Sequence, residues 1–118
     1  GYNEKDSQEL IDLKQINISG FDTIEVKNMS GMFEDCSNLE SIDVSSFRTE
    51  NVEDISNMFS NCKKVQNLYI NNFDTSKVTN MSSLFSECNS VTSLSLNNFK
   101  YFILSLLTLY LLLNISKY

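Results

Sequence analysis

Phe21, Phe47, Phe73 and Phe99 stand 26 residues apart, and Cys36, Cys62 and Cys88 keep the same interval. In that register three full units run 21–46, 47–72 and 73–98, with 20 residues on either side. Six of the 26 columns are identical in all three units: the Phe, Thr23/Thr49/Thr75, Val26/Val52/Val78, Ser30/Ser56/Ser82, Phe33/Phe59/Phe85 and the Cys. Five more are apolar throughout: Met29/Ile55/Met81, Met32/Met58/Leu84, Leu39/Val65/Val91, Ile42/Leu68/Leu94 and Val44/Ile70/Leu96. A period of this length marks a chain that repeats one small supersecondary unit and buries its apolar faces by stacking copies.

Inside each unit the apolar spacing changes once. Val26, Met29, Met32, Phe33 and Cys36 fall on one face of a helix, and Asn28, Asp54 and Asn80 suit its N-cap. After Leu39, the alternation of Ile42 and Val44 predicts a short strand. Ser45-Ser46, Asn71-Asn72 and Asn97-Asn98 supply turn chemistry before the next Phe. The expected fold is α/β, a solenoid with short parallel strands on one face and short helices on the other. Leu10, Leu13, Ile16 and Ile18 fall in the register of Cys36, Leu39, Ile42 and Val44, so 1–20 reads as a partial N-terminal repeat or cap.

Composition removes several functions. With 15 acidic residues against 9 basic ones, the net charge of −6 argues against binding a phosphate backbone, so no nucleic-acid partner is expected. Without histidine the chain lacks the commonest general base and metal ligand, and no cysteine has a partner for nucleophilic catalysis. Neither an enzyme nor a cofactor is expected. Zinc needs four close ligands, and there is no CxxC pair, so no metal is expected either. The chain starts at Gly1, followed by a polar stretch without an apolar run, and reads as a processed product or a piece of a longer protein.

The run Cys36-x-x-Leu39-x-x-Ile42-x-Val44, then Phe47-x-Thr49, Val52 and Met58-Phe59-x-x-Cys62 resembles the BspA-like leucine-rich repeats of bacterial surface proteins. The likeness is greatest to the type found in mycoplasmas, listeriae and enterococci. The stretch from Phe73-Asp74-Thr75-Ser76 through Met81, Phe85 and Cys88 follows that pattern almost residue for residue, and the resemblance covers about residues 10 to 99. It implies a cell-surface or secreted protein, in some cases one that adheres to host proteins, and brings no catalytic residues. Ordinary leucine-rich repeats place Asn at the corner where this chain has Phe. A buried Phe column is therefore expected in place of the usual asparagine ladder.

The cysteine column reads as buried packing thiols. On neighbouring helices they would lie roughly 8–10 Å apart, beyond the span of a disulfide. The columns between the inward strand residues should project from the exposed sheet face: Asn17, Asp43, Tyr69 and Ser95; Gln15, Ser41, Asn67 and Ser93; Lys14, Glu40, Gln66 and Thr92. In horseshoe-shaped solenoids this concave face meets partners. Glu40, Asp43, Gln66, Asn67, Tyr69 and Ser95 are therefore the candidate binding residues, for a protein partner such as a host extracellular-matrix protein. Asn17, Asn28, Asn80 and Asn114 each open an Asn-x-Ser acceptor pattern for glycosylation, a weak signal in so Asn-rich a chain.

Residues 99–118 break the pattern, losing Asp-Thr-Ser and the Cys. Lys100 and Lys117 bracket 16 largely apolar residues, about 24 Å as a helix at 1.5 Å each. Three readings stand for 101–115: a membrane anchor with snorkelling lysines, a degenerate fourth repeat or capping helix, or an aberrant end. In register, Leu104, Leu107, Tyr110 and Leu111 take the buried helical positions. The expected function is a non-catalytic binding or adhesion module at a cell surface. An intracellular scaffold of the same fold is the alternative, favoured by free thiols.

Overall fold

In each unit an alternating apolar pair puts two side chains on the inner side of an extended segment, and β-branched or leucine side chains suit that position. A computed structural model describes residues 15–96, 98 and 99. In it these segments form three short parallel strands, β1 (Gln15–Ile16), β2 (Ser41–Asp43) and β3 (Leu68–Tyr69), side by side in chain order. Gln15 faces Ser41, Ile16 faces Ile42, Ile42 faces Leu68 and Asp43 faces Tyr69. Equal columns of the repeat therefore lie on one another. A single bridge from Asn67 to Ser93 carries the ladder into the third unit.

The helices expected over Val26–Cys36 and its copies are absent among the described residues. A run of tight turns takes their place. Met29, Gly31, Phe33 and Asp35 donate their N–H groups to the carbonyls of Asp54, Ser56, Met58 and Ser60 at 2.8–2.9 Å. Ile55, Asn57, Phe59 and Asn61 do the same to Asn80, Ser82, Leu84 and Ser86 at 2.8–3.1 Å. The intervening N–H groups of Met32, Glu34 and Cys36 fold back on the carbonyls of Met29, Gly31 and Phe33. Two columns make this possible. Gly31, Asn57 and Ser83 in one, and Asp35, Asn61 and Glu87 in the other, take left-handed φ values between 56° and 66°. No α-helix passes through such residues.

The strands explain the departure. They fix the rise from unit to unit at about 4.8 Å, whereas packed helices stand 8–10 Å apart. With unit bonded to unit on both sides, the far side must pair at the same rise, and turns with alternate amides aimed along the stack do so. Equal rise on both sides also removes the wedge of helices that curls a horseshoe, so nothing forces the sheet face to be concave.

The corners use the acceptors that the N-cap reading singled out, without the helix. Asn28, Asp54 and Asn80 each accept the N–H of the serine two residues on through Oδ1, at 2.8, 2.8 and 3.1 Å. Asn17, Asp43 and Asp74 repeat the motif with Ser19, Ser45 and Ser76. The Asn-x-Ser patterns at 17, 28 and 80 are thus Asx turns. Asn114 lies outside the described residues.

Inside, two phenylalanine columns run the length of the stack. Phe33, Phe59 and Phe85 lie nearly parallel, with ring centroids 5.6 and 6.1 Å apart. Phe47 and Phe73 lean on Phe33 and Phe59, and Phe99 stacks on Phe73. The expected Phe column is buried at 47, 73 and 99, but it does not act alone at the corner. Thr23 Oγ1 donates to Arg48 O and accepts from Arg48 N, and Thr49 does the same with Asp74. Asn72 Nδ2 reaches the carbonyls of Val44 and Phe47, both at 2.9 Å. Two expected core residues face solvent instead: Phe21 is 65% exposed and Met32 42%. Both belong to the first unit, whose turn side has no described neighbour before it.

Candidate functional site

Strand alternation decides what the sheet shows to solvent. With Ile42 and Leu68 turned inward, Gln15, Ser41 and Asn67 face outward with Ser93 in their column, and Asn17, Asp43, Tyr69 and Ser95 form the next. Glu40, Gln66 and Thr92 flank them, also exposed. All six candidate binding residues, Glu40, Asp43, Gln66, Asn67, Tyr69 and Ser95, are therefore exposed on one side of the molecule. Lys14 lies outside the described residues.

The face is short of charge and rich in amide and hydroxyl groups. Asp43 is partly engaged: its Oδ1 accepts from Ser45 N at 3.0 Å and Ser45 Oγ at 2.6 Å. The Ser45 hydroxyl and amide hold its carboxyl below the usual range. Tyr69 occupies the column that holds Asn17 and Asp43 in the units before it, so it makes no Asx turn and stands 63% exposed. An exposed Tyr with an apolar body and a hydroxyl tip is well suited to contact.

Beside this face lies a groove of about 280 Å³, lined by Glu40, Lys64, Gln66 and Ser90. Glu40 and Gln66 are among the sequence candidates; Lys64 and Ser90 are not. They share a column two residues after the cysteines, Asn38/Lys64/Ser90, between the expected helix and the expected strand. The groove does not include Asp43, Asn67, Tyr69 or Ser95. A carboxylate and an ammonium line it without forming a salt bridge among the described residues, where Arg48–Glu50 is the pair found.

The thiols point the other way, into the turn side. Cys62 and Cys88 are buried and Cys36 half-buried, and none forms a disulfide. Cys62 Sγ donates to Phe33 O at 3.2 Å and Cys88 Sγ to Phe59 O at 3.1 Å. Burial pushes Cys88 up to about 11 and Cys62 further, the latter aided by Cys88 and Cys36. Burial raises Cys36 as well, helped by the Asp35 charge. The separation of 8–10 Å expected from helices does not apply. Units hydrogen-bonded at about 4.8 Å rise bring the cysteine backbones within the range that a disulfide spans. Among the described residues no group of His, Cys, Asp and Glu could hold a metal ion, and no helix is long and apolar enough to cross a membrane. Residues 101–115 lie outside them.

Comparison with known proteins bears on the same stretch. A family model described as a Mycoplasma protein of unknown function, DUF285, matches residues 7–101, and the chain belongs to that family. No curated protein and no solved structure matches.

Proposed function

We propose that this member of the DUF285 family is a non-catalytic binding or adhesion module, a BspA-like leucine-rich-repeat solenoid of a cell-surface or secreted protein. Its partner is a protein, such as one of the host extracellular matrix, held on the exposed face of the parallel sheet. The observation that carries the reading is Tyr69, an aromatic left 63% exposed amid amide and hydroxyl side chains on a backbone fixed by the ladder. Burial of such a ring at the centre of an interface gives a hot spot, and the polar neighbours give the rim.

Immobilised fibronectin, laminin and collagen test this directly. Saturable binding of the full chain to one of them, weakened at least tenfold by Tyr69→Ala at unchanged melting temperature, is the expected result. Equal binding by Tyr69→Ala removes the sheet face from the proposal, and binding to none of the three removes matrix adhesion. A second reading, an intracellular scaffold of the same fold, is favoured by three unpaired cysteines stacked at strand spacing, which an oxidising compartment would threaten. Mass spectrometry of the protein from its native source separates the two: free thiols at all three sites favour the scaffold.

A further inference from the structure

The three cysteines stand on the turn ladder itself. Asp35 and Asn61, each one residue before a cysteine, donate their N–H groups to Ser60 O and Ser86 O in the next unit, both at 2.8 Å. Neighbouring cysteine backbones are thereby held at the rise of the stack, about 4.8 Å. A disulfide accepts Cα atoms about 4.4–6.8 Å apart, so one rise is within its span and two rises, about 9.6 Å, are not. The side chains lean accordingly. Cys62 Sγ donates at 3.2 Å to Phe33 O, the carbonyl that also accepts the Cys36 N–H. Cys88 Sγ donates at 3.1 Å to Phe59 O, which also accepts the Cys62 N–H. Each of these two thiols reaches out of its own unit and ends beside the backbone of the cysteine before it.

The geometry points to Cys62 as the hub of a cross-link between units, a disulfide that it forms with Cys36 or with Cys88 and that those two do not form with each other. The oxidant is a small-molecule disulfide. One thiolate of the pair attacks a sulfur of the oxidant, breaks its S–S bond and releases half of it as a thiolate. The second cysteine thiolate then attacks the protein sulfur of the mixed disulfide and displaces the other half. The two protons given up by the cysteines end on the two thiolates released. Two protein thiols are oxidised and one small disulfide is reduced to two thiols. One cysteine always stays reduced, since three cannot pair. Burial keeps Cys62 and Cys88 protonated, so closure is slow at neutral pH and faster in mild alkali. The closed link ties adjacent units covalently and constrains the unfolded chain. It is independent of the sheet face and of its partner.

The probe is oxidised glutathione, added to the reduced full chain in mild alkali. Trypsin cuts between the three cysteines at Arg48, Lys63, Lys64 and Lys77, so non-reducing peptide mapping reads the pairs. The expected result is linked peptides that join Cys62 to Cys36 or to Cys88, with none that join Cys36 to Cys88. In concentrated urea, where the ladder no longer sets the spacing, the Cys36–Cys88 pair appears as well. The Cys36→Ala and Cys88→Ala chains each still close one disulfide, whereas Cys62→Ala closes none and carries glutathione adducts alone. Three free thiols in the folded parent at the most oxidising ratio of glutathione overturn the proposal. So does a Cys36–Cys88 peptide from the folded parent, which decides the matter even where Cys62→Ala fails to fold.

Discussion

The two long sides of the molecule are both ladders, but they bind their side chains differently. On the strand side the backbone is extended, and every second side chain is free to be anything that water tolerates: Gln15, Ser41, Asn67 and Ser93 share one outward column. On the turn side the outward positions carry the conformational load, with six residues in the left-handed region. Only Gly, Asn and Asp visit that region at low cost. Variation is thus cheap on the sheet face and expensive opposite it. A stack of this kind can change what it binds on the strand side without disturbing the side that sets its turns.

The largest test of this contrast is a pair of core truncations. Phe59 is fully buried between Phe33 and Phe85 with Phe73 leaning on it, and its removal takes away three ring contacts as well as the apolar volume. Phe59→Ala should cost about 3–5 kcal/mol, enough to unfold so small a domain, against about 2–5 kcal/mol for Leu68→Ala under the strands. Urea melts measure both. If Phe59→Ala melts like the parent, the turn side is not packed as described.

Alkali should sharpen the comparison next, because the thiols sit on the turn side alone. Burial holds the Cys88 thiol up at about 11, above the 9.0 of a free one, and Cys62 is raised further. The folded state therefore keeps protons that the unfolded chain gives up. That advantage is complete below pH 9 and is lost as pH rises towards 11. The urea midpoint should fall between pH 9 and 10.5, and fall less in Cys88→Ala. An identical fall in both would assign the loss to other groups.

How much of this was legible follows the same division. Alternation at Ile42 and Val44 sufficed for the strands, since period two has one structural meaning there. The 26-residue columns also placed the exposed face, Tyr69 included. The spacing of Val26, Met29, Met32, Phe33 and Cys36 was ambiguous: a helix buries that pattern, and so does a chain of tight turns. The deciding signal lay in the polar columns. Gly31/Asn57/Ser83 and Asp35/Asn61/Glu87 stand four residues apart and hold mostly residues that favour left-handed turns over helix interiors. The six Asx-x-Ser corners, three of them read as helix caps, were a second such sign. Lys64 and Ser90 escaped because groove lining depends on how the turn after the cysteines is aimed, which no periodicity encodes.

A sign test separates the two conformations of the far side. Ser83 has φ 56°, where a Cβ costs about 1–2 kcal/mol. Ser83→Gly should therefore stabilise by about 1 kcal/mol, a rise in Tm of about 5 °C for a domain of this size. In a helix the same change would cost up to about 1 kcal/mol. A lower melting temperature would restore the helix and break the contrast between the two sides.

The smallest effect concerns the corner that joins them. Asn72 Nδ2 ties Val44 O, near the end of the unit before, to Phe47 O, at the start of its own, and Asn98 reaches Asn71 O. The first unit has Ser46 in this column, and its buried Oγ has no hydrogen-bond partner. Ser46→Asn places an amide one register earlier, within reach of the carbonyls of Ile18 and Phe21 by analogy with Asn72. Each neutral hydrogen bond contributes about 0.5–1.5 kcal/mol net, and the longer side chain loses some rotamer freedom, so the gain should be about 0.5 kcal/mol. It should show as slower amide exchange at Phe21, whose N–H bonds Ile18 O at 3.3 Å, with the exchange at Phe73 unchanged. Faster exchange at Phe21 would mean that the corner of the first unit is shaped for serine, and that the asparagine bracket begins only with the second.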